Sequence, residues 1–253
     1  MNLKSFLDEK ADLYNRPEFI TVDPISIPHQ FSRKEDIEIS GFLTATIAWG
    51  QRVTILKNAN KLMQMMDNTP HEFILHHNKN DLKPFSKFVH RTFNGIDCIY
   101  FIQSLHNIYK KHGGMEKVFN SHLTKKDTDL SNAIHQFRKI FFSLPCPARS
   151  QKHVADPLAN SSAKRICMYL RWMVRNDGRG VDFGIWKKAK SSELIIPLDL
   201  HVARVAKHFN LLTRPKSDWQ SALELTENLR EFDARDPVKY DFALFALGVI
   251  EKY

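Results

Sequence analysis

Helical spacing runs along almost the whole chain and constrains its fold more than any other feature. Apolar residues recur three and four positions apart, and the sparse Gly and Pro residues gather at a few breaks between such stretches. Internal repeats and low-complexity tracts are absent. From Asp36 onward, Ile37, Phe42, Leu43 and Ile47 predict a largely buried helix. After Trp49-Gly50-Gln51, the apolar face Val53, Ile55, Leu56, Ala59, Leu62 and Met66 predicts another, with Gly50 as the break. Ile99, Ile102, Leu105 and Ile108 mark a helix over 96–109 that runs into Lys111-His112-Gly113-Gly114, a basic last turn and a glycine stop. The fold class read from this pattern is all-α.

The stretch 144–157 carries three prolines among polar residues and is the longest expected connection. It divides a single 1–253 unit into two helical subdomains, approximately 30–143 and 150–253. Beyond it, Ala163, Ile166, Cys167, Leu170, Met173 and Val174 keep to one helical face, so that face is core. Lys164, Met168, Arg171 and Arg175 form the adjacent stripe, whose three cations read as a solvated edge unless other groups converge on them.

A chain of 253 residues is long enough for one large domain or two small helical ones, and 43% hydrophobic with 26% charged residues excludes disordered and fibrous classes. The formal net charge of +9 favours a polyanionic partner such as nucleic acid or an acidic membrane surface. Cys98, Cys146 and Cys167 include no CxxC pair, which suits a reducing cytosol and argues against a disulfide framework or a thiolate metal site. The twelve histidines, His76, His77 and His201 among them, lack metal-ligand spacing. The first residues lack a signal-peptide pattern, and no run approaches the ~18 apolar residues of a membrane span, so a cytoplasmic protein without a membrane partner is expected.

After Asn176-Asp177-Gly178-Arg179-Gly180 the chain reaches Leu194-Ile195-Ile196-Pro197-Leu198-Asp199, followed by Val202, Val205, Ala206 and Phe209 at helical spacing. Asp199 is thereby an expected helix N-cap, a role that by itself is worth about 1 kcal/mol. The segment Pro197-Leu198-Asp199-Leu200-His201-Val202-Ala203-Arg204-Val205 resembles the catalytic aspartate region of helix-hairpin-helix DNA glycosylases, the superfamily of endonuclease III and 8-oxoguanine DNA glycosylase. Two earlier segments match in order. Ala45-Thr46-Ile47-Ala48-Trp49-Gly50-Gln51-Arg52-Val53 is similar to the helix-loop-helix whose amide side chain enters the space left by a flipped nucleotide, and Asn160-Ser161-Ser162-Ala163-Lys164-Arg165-Ile166 resembles the hairpin and its following lysine. Most of the chain also resembles an uncharacterised bacterial family assigned to this superfamily, through phrases such as His90-Arg91-Thr92-Phe93 and Val181-Asp182-Phe183-Gly184-Ile185-Trp186.

The resemblance implies two helical subdomains with a DNA-binding cleft between them, and a base-excision enzyme acting on double-stranded DNA that contains a damaged base. An oxidised purine such as 8-oxoguanine is the expected lesion. A base cannot be cut from its sugar inside a duplex, so it is flipped out and a side chain, here Gln51, fills the gap. Breaking the glycosidic bond builds positive charge on the sugar, which the carboxylate of Asp199 would stabilise. Lys164 would attack C1′ as a neutral amine, and the positive end of its helix with neighbouring Arg165 and Arg171 disfavours a further charge there. DNA contacts are expected from Gln51, Arg52, Asn160, Ser161, Ser162, Arg165, Arg171 and Arg204, and a base pocket from Trp49, Trp172, Trp186, Asp241 and Phe245.

The family pattern is not matched throughout. Asn160-Ser161-Ser162 stands where hairpin glycines bring bare backbone to a phosphate, although Asn tolerates the left-handed conformation. Residues 176–193 are inserted between hairpin helix and aspartate, and are expected to fold aside; they make Asp182 a rival for the catalytic role. His201 is expected to orient Asp199 or cap its helix. No metal and no iron-sulfur cluster is expected, because the clustered cysteines are missing. A monomer is expected. The alternative reading is a catalytically inactive or monofunctional DNA- or RNA-binding protein on the same scaffold.

Overall fold

A computed structural model describes residues 2–123 and 129–253. In chain order the helices are α1 (Leu3–Tyr14), α2 (Pro17–Ile20), α3 (Lys34–Ile47), α4 (Arg52–Gln64), α5 (Pro70–His76), α6 (Gly95–Lys111), α7 (Met115–Ser121), α8 (Ser131–Phe141), α9 (Lys164–Val174), α10 (Leu200–His208), α11 (Trp219–Arg230) and α12 (Tyr240–Val249). The strands among the described residues are β1 (Val89–His90) and β2 (Phe93–Asn94), paired antiparallel with His90 opposite Phe93. The fold is all-helical apart from that hairpin. Two compact units divide the chain. One contains 22–123 and 133–155, the other 2–21, 129–132 and 156–253, so the chain passes between them at the end of the proline-bearing connection.

In the first unit α3 is buried from Ile37 to Ile47, and Glu38, Ser40, Thr44 and Thr46 are buried with its apolar residues. Glu35 and Asp36 lie in its first turn, where acidic groups suit the helix dipole, and Asp36 Oδ1 also accepts the amide of His71 near the start of α5 at 2.8 Å. Phe42 stacks on Phe101 at 5.9 Å and meets Phe137 and Phe141 edge-on, giving this unit an aromatic centre. Helix α6 opens on a capping box of Asn94 and Asp97 and stops at His112 and Gly113, where the glycine stop was expected. Val53, expected on the apolar face of α4, is instead 79% exposed.

The second unit is built on α12, whose Tyr240–Leu244 and Ala246–Gly248 are buried. Helices α1 and α10 pack against it. Gly248 makes the close approach of α10 feasible, since a Cβ there would lie 3.0 Å from His201 Cβ and 3.1 Å from its carbonyl oxygen. Polar contacts fasten α1: Lys10 and Tyr14 donate to Glu251, and the Tyr240 hydroxyl donates to Asp8 at 2.8 Å. The amino-terminal helix is therefore part of the unit that holds α9 to α12.

Residues 176–193 do not fold aside. They turn back along α9, where the amides of Phe183 and Trp186 donate to the last-turn carbonyls of Trp172 and Met173 at 2.8 and 2.9 Å. Val181 and Trp186 are buried, and Trp186 meets Tyr169 edge-on.

Candidate functional site

The turn that leads into α9 is built by local hydrogen bonds. Asp156 accepts the amide of Leu158 at 3.0 Å and opens a 3-10 turn over Pro157–Ala159. Asn160 then takes the left-handed conformation at φ 58°, as its short polar side chain permits. A second left-handed residue, Ala163 at φ 47°, directly precedes Lys164; an alanine there costs about 1 kcal/mol, so the surroundings hold it. The segment before this turn forms a further 3-10 turn at Ala148–His153.

Two of the expected phosphate contacts are tied inward. The Asn160 side chain donates to Asp218 Oδ2 at 3.3 Å, and Ser161 bridges to Asp218 while its hydroxyl accepts the Ala163 amide at 3.3 Å. Asp218 also caps α11 through the Ser221 amide, which, ahead of Arg214, lowers its carboxyl from the ordinary value. Sequence spacing did not single out Asp218; its signal is the Asp-Trp start of an amphipathic helix. Lys164 is exposed at the first position of α9, Ser162 is half-buried, and burial lowers the half-buried Arg165 guanidinium to about 10.

Asp199 ends the buried extended run Leu194–Leu198, which the Thr226 hydroxyl fixes by accepting the Ile196 amide at 3.1 Å. It is the N-cap of α10: Oδ1 accepts the Val202 amide at 2.8 Å, and Oδ2 accepts no hydrogen bond among the described residues. The carboxylate is half-buried, and Leu200 beside it is 76% exposed. His201 makes no hydrogen bond to Asp199, contrary to expectation, and its Nδ1 is buried without a partner. Arg204 is exposed and donates to the Gly248 carbonyl at the end of α12 at 2.7 Å.

Behind this surface lies a buried ionic cluster built on two cations of the α9 stripe, Arg171, expected at DNA, and Arg175. Arg171 is 5% and Arg175 2% exposed. Arg171 donates from Nε to Asp182 Oδ1 at 3.2 Å and from Nη1 to Asp241, and its guanidinium lies 4.4 Å from the Phe242 ring. Arg175 binds Asp182 Oδ2 at 3.1 Å, Asp177 at 2.9 Å and both oxygens of Asp236. Arg171 is thus not an exposed phosphate contact. Asp182 is a buried bridge with both oxygens used, so it is no rival to Asp199. Burial pushes the Asp241 carboxyl up to about 7, with Arg171 opposing and Asp199 and Asp182 adding to the rise. Trp172 and Trp186 are buried in the core, which corrects their expected place on a base pocket, and Phe245 is half-buried on α12.

The other unit carries the Trp49-Gly50-Gln51-Arg52 turn. Gly50 at φ 106° reverses the chain, and Gln51 occupies the N-cap position of α4 without a side-chain cap bond, leaving its amide exposed. The turn is held by the β hairpin. His90 Nε2 donates to the Trp49 carbonyl at 3.1 Å while Nδ1 accepts from Asn58 at 2.9 Å, an arrangement that requires the neutral Nε2-protonated ring. Arg91, left-handed at φ 54°, lies 5.1 Å from the half-buried Trp49 ring. A Cβ on Gly50 would stand 2.8 Å from Arg91 Nη1. Arg52 opens α4 half-buried. The sequence alone did not mark Arg91 as a support of this turn.

Among the described residues no three His, Cys, Asp or Glu side chains are grouped to hold a metal, and no helix is long and apolar enough to cross a membrane. No curated protein and no solved structure matches the chain. The family model described as "Protein of unknown function (DUF2400)" matches residues 23–250, and the chain belongs to that family.

Proposed function

We propose that the protein is a DNA glycosylase that releases a damaged base, an oxidised purine such as 8-oxoguanine, from double-stranded DNA. The observation that carries this reading is the carboxylate of Asp199, fixed by the Val202 amide at a helix opening with its second oxygen uncommitted. A preorganised anion of this kind stabilises charge that develops on the sugar without reorganising during the reaction. Lys164 is the nucleophile of an associated lyase step. Its neutral amine attacks C1′ and the glycosidic electron pair leaves with the base; one amine proton passes to the base, and the other to O4′ as the C1′–O4′ bond breaks and the sugar ring opens, which leaves the Schiff base. The exposed Gln51 amide is the side chain that fills the gap of the extruded nucleotide. The DNA cleft expected between two helical subdomains is part of this proposal.

A screen of lesion-bearing duplexes with borohydride trapping tests it. Release of a base that Asp199→Asn abolishes and a trapped adduct that Lys164→Ala abolishes are expected. No release from any lesion refutes the glycosylase reading, and release without an adduct removes the lyase step alone.

A second reading, nucleic-acid binding without catalysis, is favoured by the inward bonding of Asn160 and Ser161, which occupy the places of bare glycines. It predicts salt-dependent DNA binding with no base released.

A further inference from the structure

The first unit holds a cavity of about 580 Å³ whose walls include no residue of the Gln51 turn. They come from the first turns of α3, from α5, from the end of α6 with the glycine stop behind it, and from α7. The volume lies within the ~300–1,000 Å³ of small-molecule sites. The left-handed Gly113 and Gly114 turn the chain from α6 into α7 close to Tyr109: a Cβ on Gly114 would lie 3.3 Å from its ring.

The wall is mostly polar, and most of its polar groups hold one another. Lys34 pairs with Glu116, whose Oε1 accepts from Asn120 at 3.2 Å, and Arg33 holds Glu35 at 3.2 Å. Glu38 is 2% exposed and its Oε2 accepts the Tyr109 hydroxyl at 2.7 Å. His71 differs from these. It is 8% exposed and lines the cavity with its ring edge-on to Tyr109 at 5.0 Å, yet Nδ1 is buried without a partner and the ring makes no hydrogen bond among the described residues. Its backbone amide, by contrast, is bonded to Asp36. A buried imidazole without partners costs stability that an apolar side chain of similar size would not, so a ligand at this wall is what gives it a use. Burial, ahead of Arg33, lowers the imidazole from its ordinary value, and the neutral ring offers one donor and one acceptor.

The chemistry of the ligand follows from the charges. The lining has three carboxylates, Glu35, Glu38 and Glu116, against two ammonium groups, Lys34 and Lys117, in a chain whose net charge is +9. An anion would meet all three carboxylates. An ammonium or guanidinium group brings donors only, and a carboxylate, a neutral imidazole nitrogen and an aromatic ring are its acceptors. We propose that this cavity binds a small organic amine, with its cationic group seated between the Glu38 carboxylate and the rings of Tyr109 and His71. Lys117 is exposed on the wall beside Gly113, so the uncharged end of the amine faces that side. The assignment does not depend on the glycosylase reading, because its walls belong to the first unit alone.

Amide NMR titration of the full chain with butylamine and butylguanidine tests it, with butanol as the uncharged counterpart and inorganic phosphate as the anion. At least one of the two cations is expected to saturate with a Kd of about 1 mM or tighter and to shift amides of α3, α5 and the α6–α7 turn. Butanol and phosphate are expected to shift none of them. Glu38→Gln keeps an acceptor for the Tyr109 hydroxyl, and His71→Leu removes only nitrogens that have no partner. Each is expected to weaken cation binding about tenfold or more, and His71→Leu to melt no lower than the wild type. Absence of saturable shifts at this wall with either cation, equal binding of butanol or phosphate, or unchanged affinity in both variants overturns the proposal. A His71→Leu chain that is less stable and still binds the cation shows a structural imidazole, and overturns it as well.

Discussion

Asp182→Asn removes one negative charge from a site with no solvent access and tests whether the returning segment is locked by ions or only covered by them. Both carboxyl oxygens are used, by Arg171 at 3.2 Å and by Arg175 at 3.1 Å, and the side chain is 0% exposed. Deleting one partner of a buried ionic set costs about 3–5 kcal/mol, because the stranded charge has no water to return to. Here Arg171 keeps Asp241, and Arg175 keeps Asp177 and Asp236, so the cost belongs at the lower end, about 3 kcal/mol. For a chain of this size that corresponds to a fall of roughly 6–12 °C in Tm. Urea denaturation followed by tryptophan fluorescence is the suitable assay, since Trp172, Trp186 and Trp219 all lie in the affected unit. The hydrogen bonds from Phe183 and Trp186 to the end of α9 remain in the variant, so the effect isolates the ionic term. A loss below about 1 kcal/mol would show that Asp182 is incidental to the lock and refute the reasoning.

Three further outcomes follow from the same geometry. Asp199→Asn is expected to keep stability within about 0.5 kcal/mol while abolishing base release, whereas Asp199→Ala also loses about 1 kcal/mol of capping; paired denaturation and release assays separate these effects. Gly248→Ala places a methyl 3.0 Å from His201 Cβ and close to its backbone, and is expected to cost about 1–3 kcal/mol by denaturation; an unchanged midpoint would show that α10 can move away. Because the Asp241 carboxyl is raised to about 7 from its ordinary 3.8, the folded chain binds that proton more tightly than the unfolded chain. This group's contribution to stability therefore declines as pH rises from about 4 to 7, with a limiting slope of roughly 1.4 kcal/mol per pH unit. Stability of the wild type relative to Asp241→Asn should fall across that window, and a constant difference would contradict the raised Asp241 carboxyl.

The elements legible in the sequence are those whose determinants are local. The spacing of Ile37 to Ile47, the Gly113 stop of α6, the Asp199 cap and the left-handed Asn160 each depend on residues within a few positions of one another. Arg171 and Arg175 were misplaced for the complementary reason. Helical spacing sends a cation on the edge of an apolar face to solvent, and only carboxylates at 182, 236 and 241, brought in by the returning segment and by α12, make burial tolerable. The segment 176–193 is expected to fold aside only because it interrupts the spacing of hairpin helix and aspartate in the family the chain resembles. Its order comes instead from satisfying the free carbonyls of α9 and from two buried side chains, Val181 and Trp186. The same segment supplies Asp182, which shares Arg171 with Asp241 and so limits how far that arginine can neutralise it. The segment that separates Lys164 from Asp199 in the sequence is thus tied, through one arginine, to a buried carboxyl of α12.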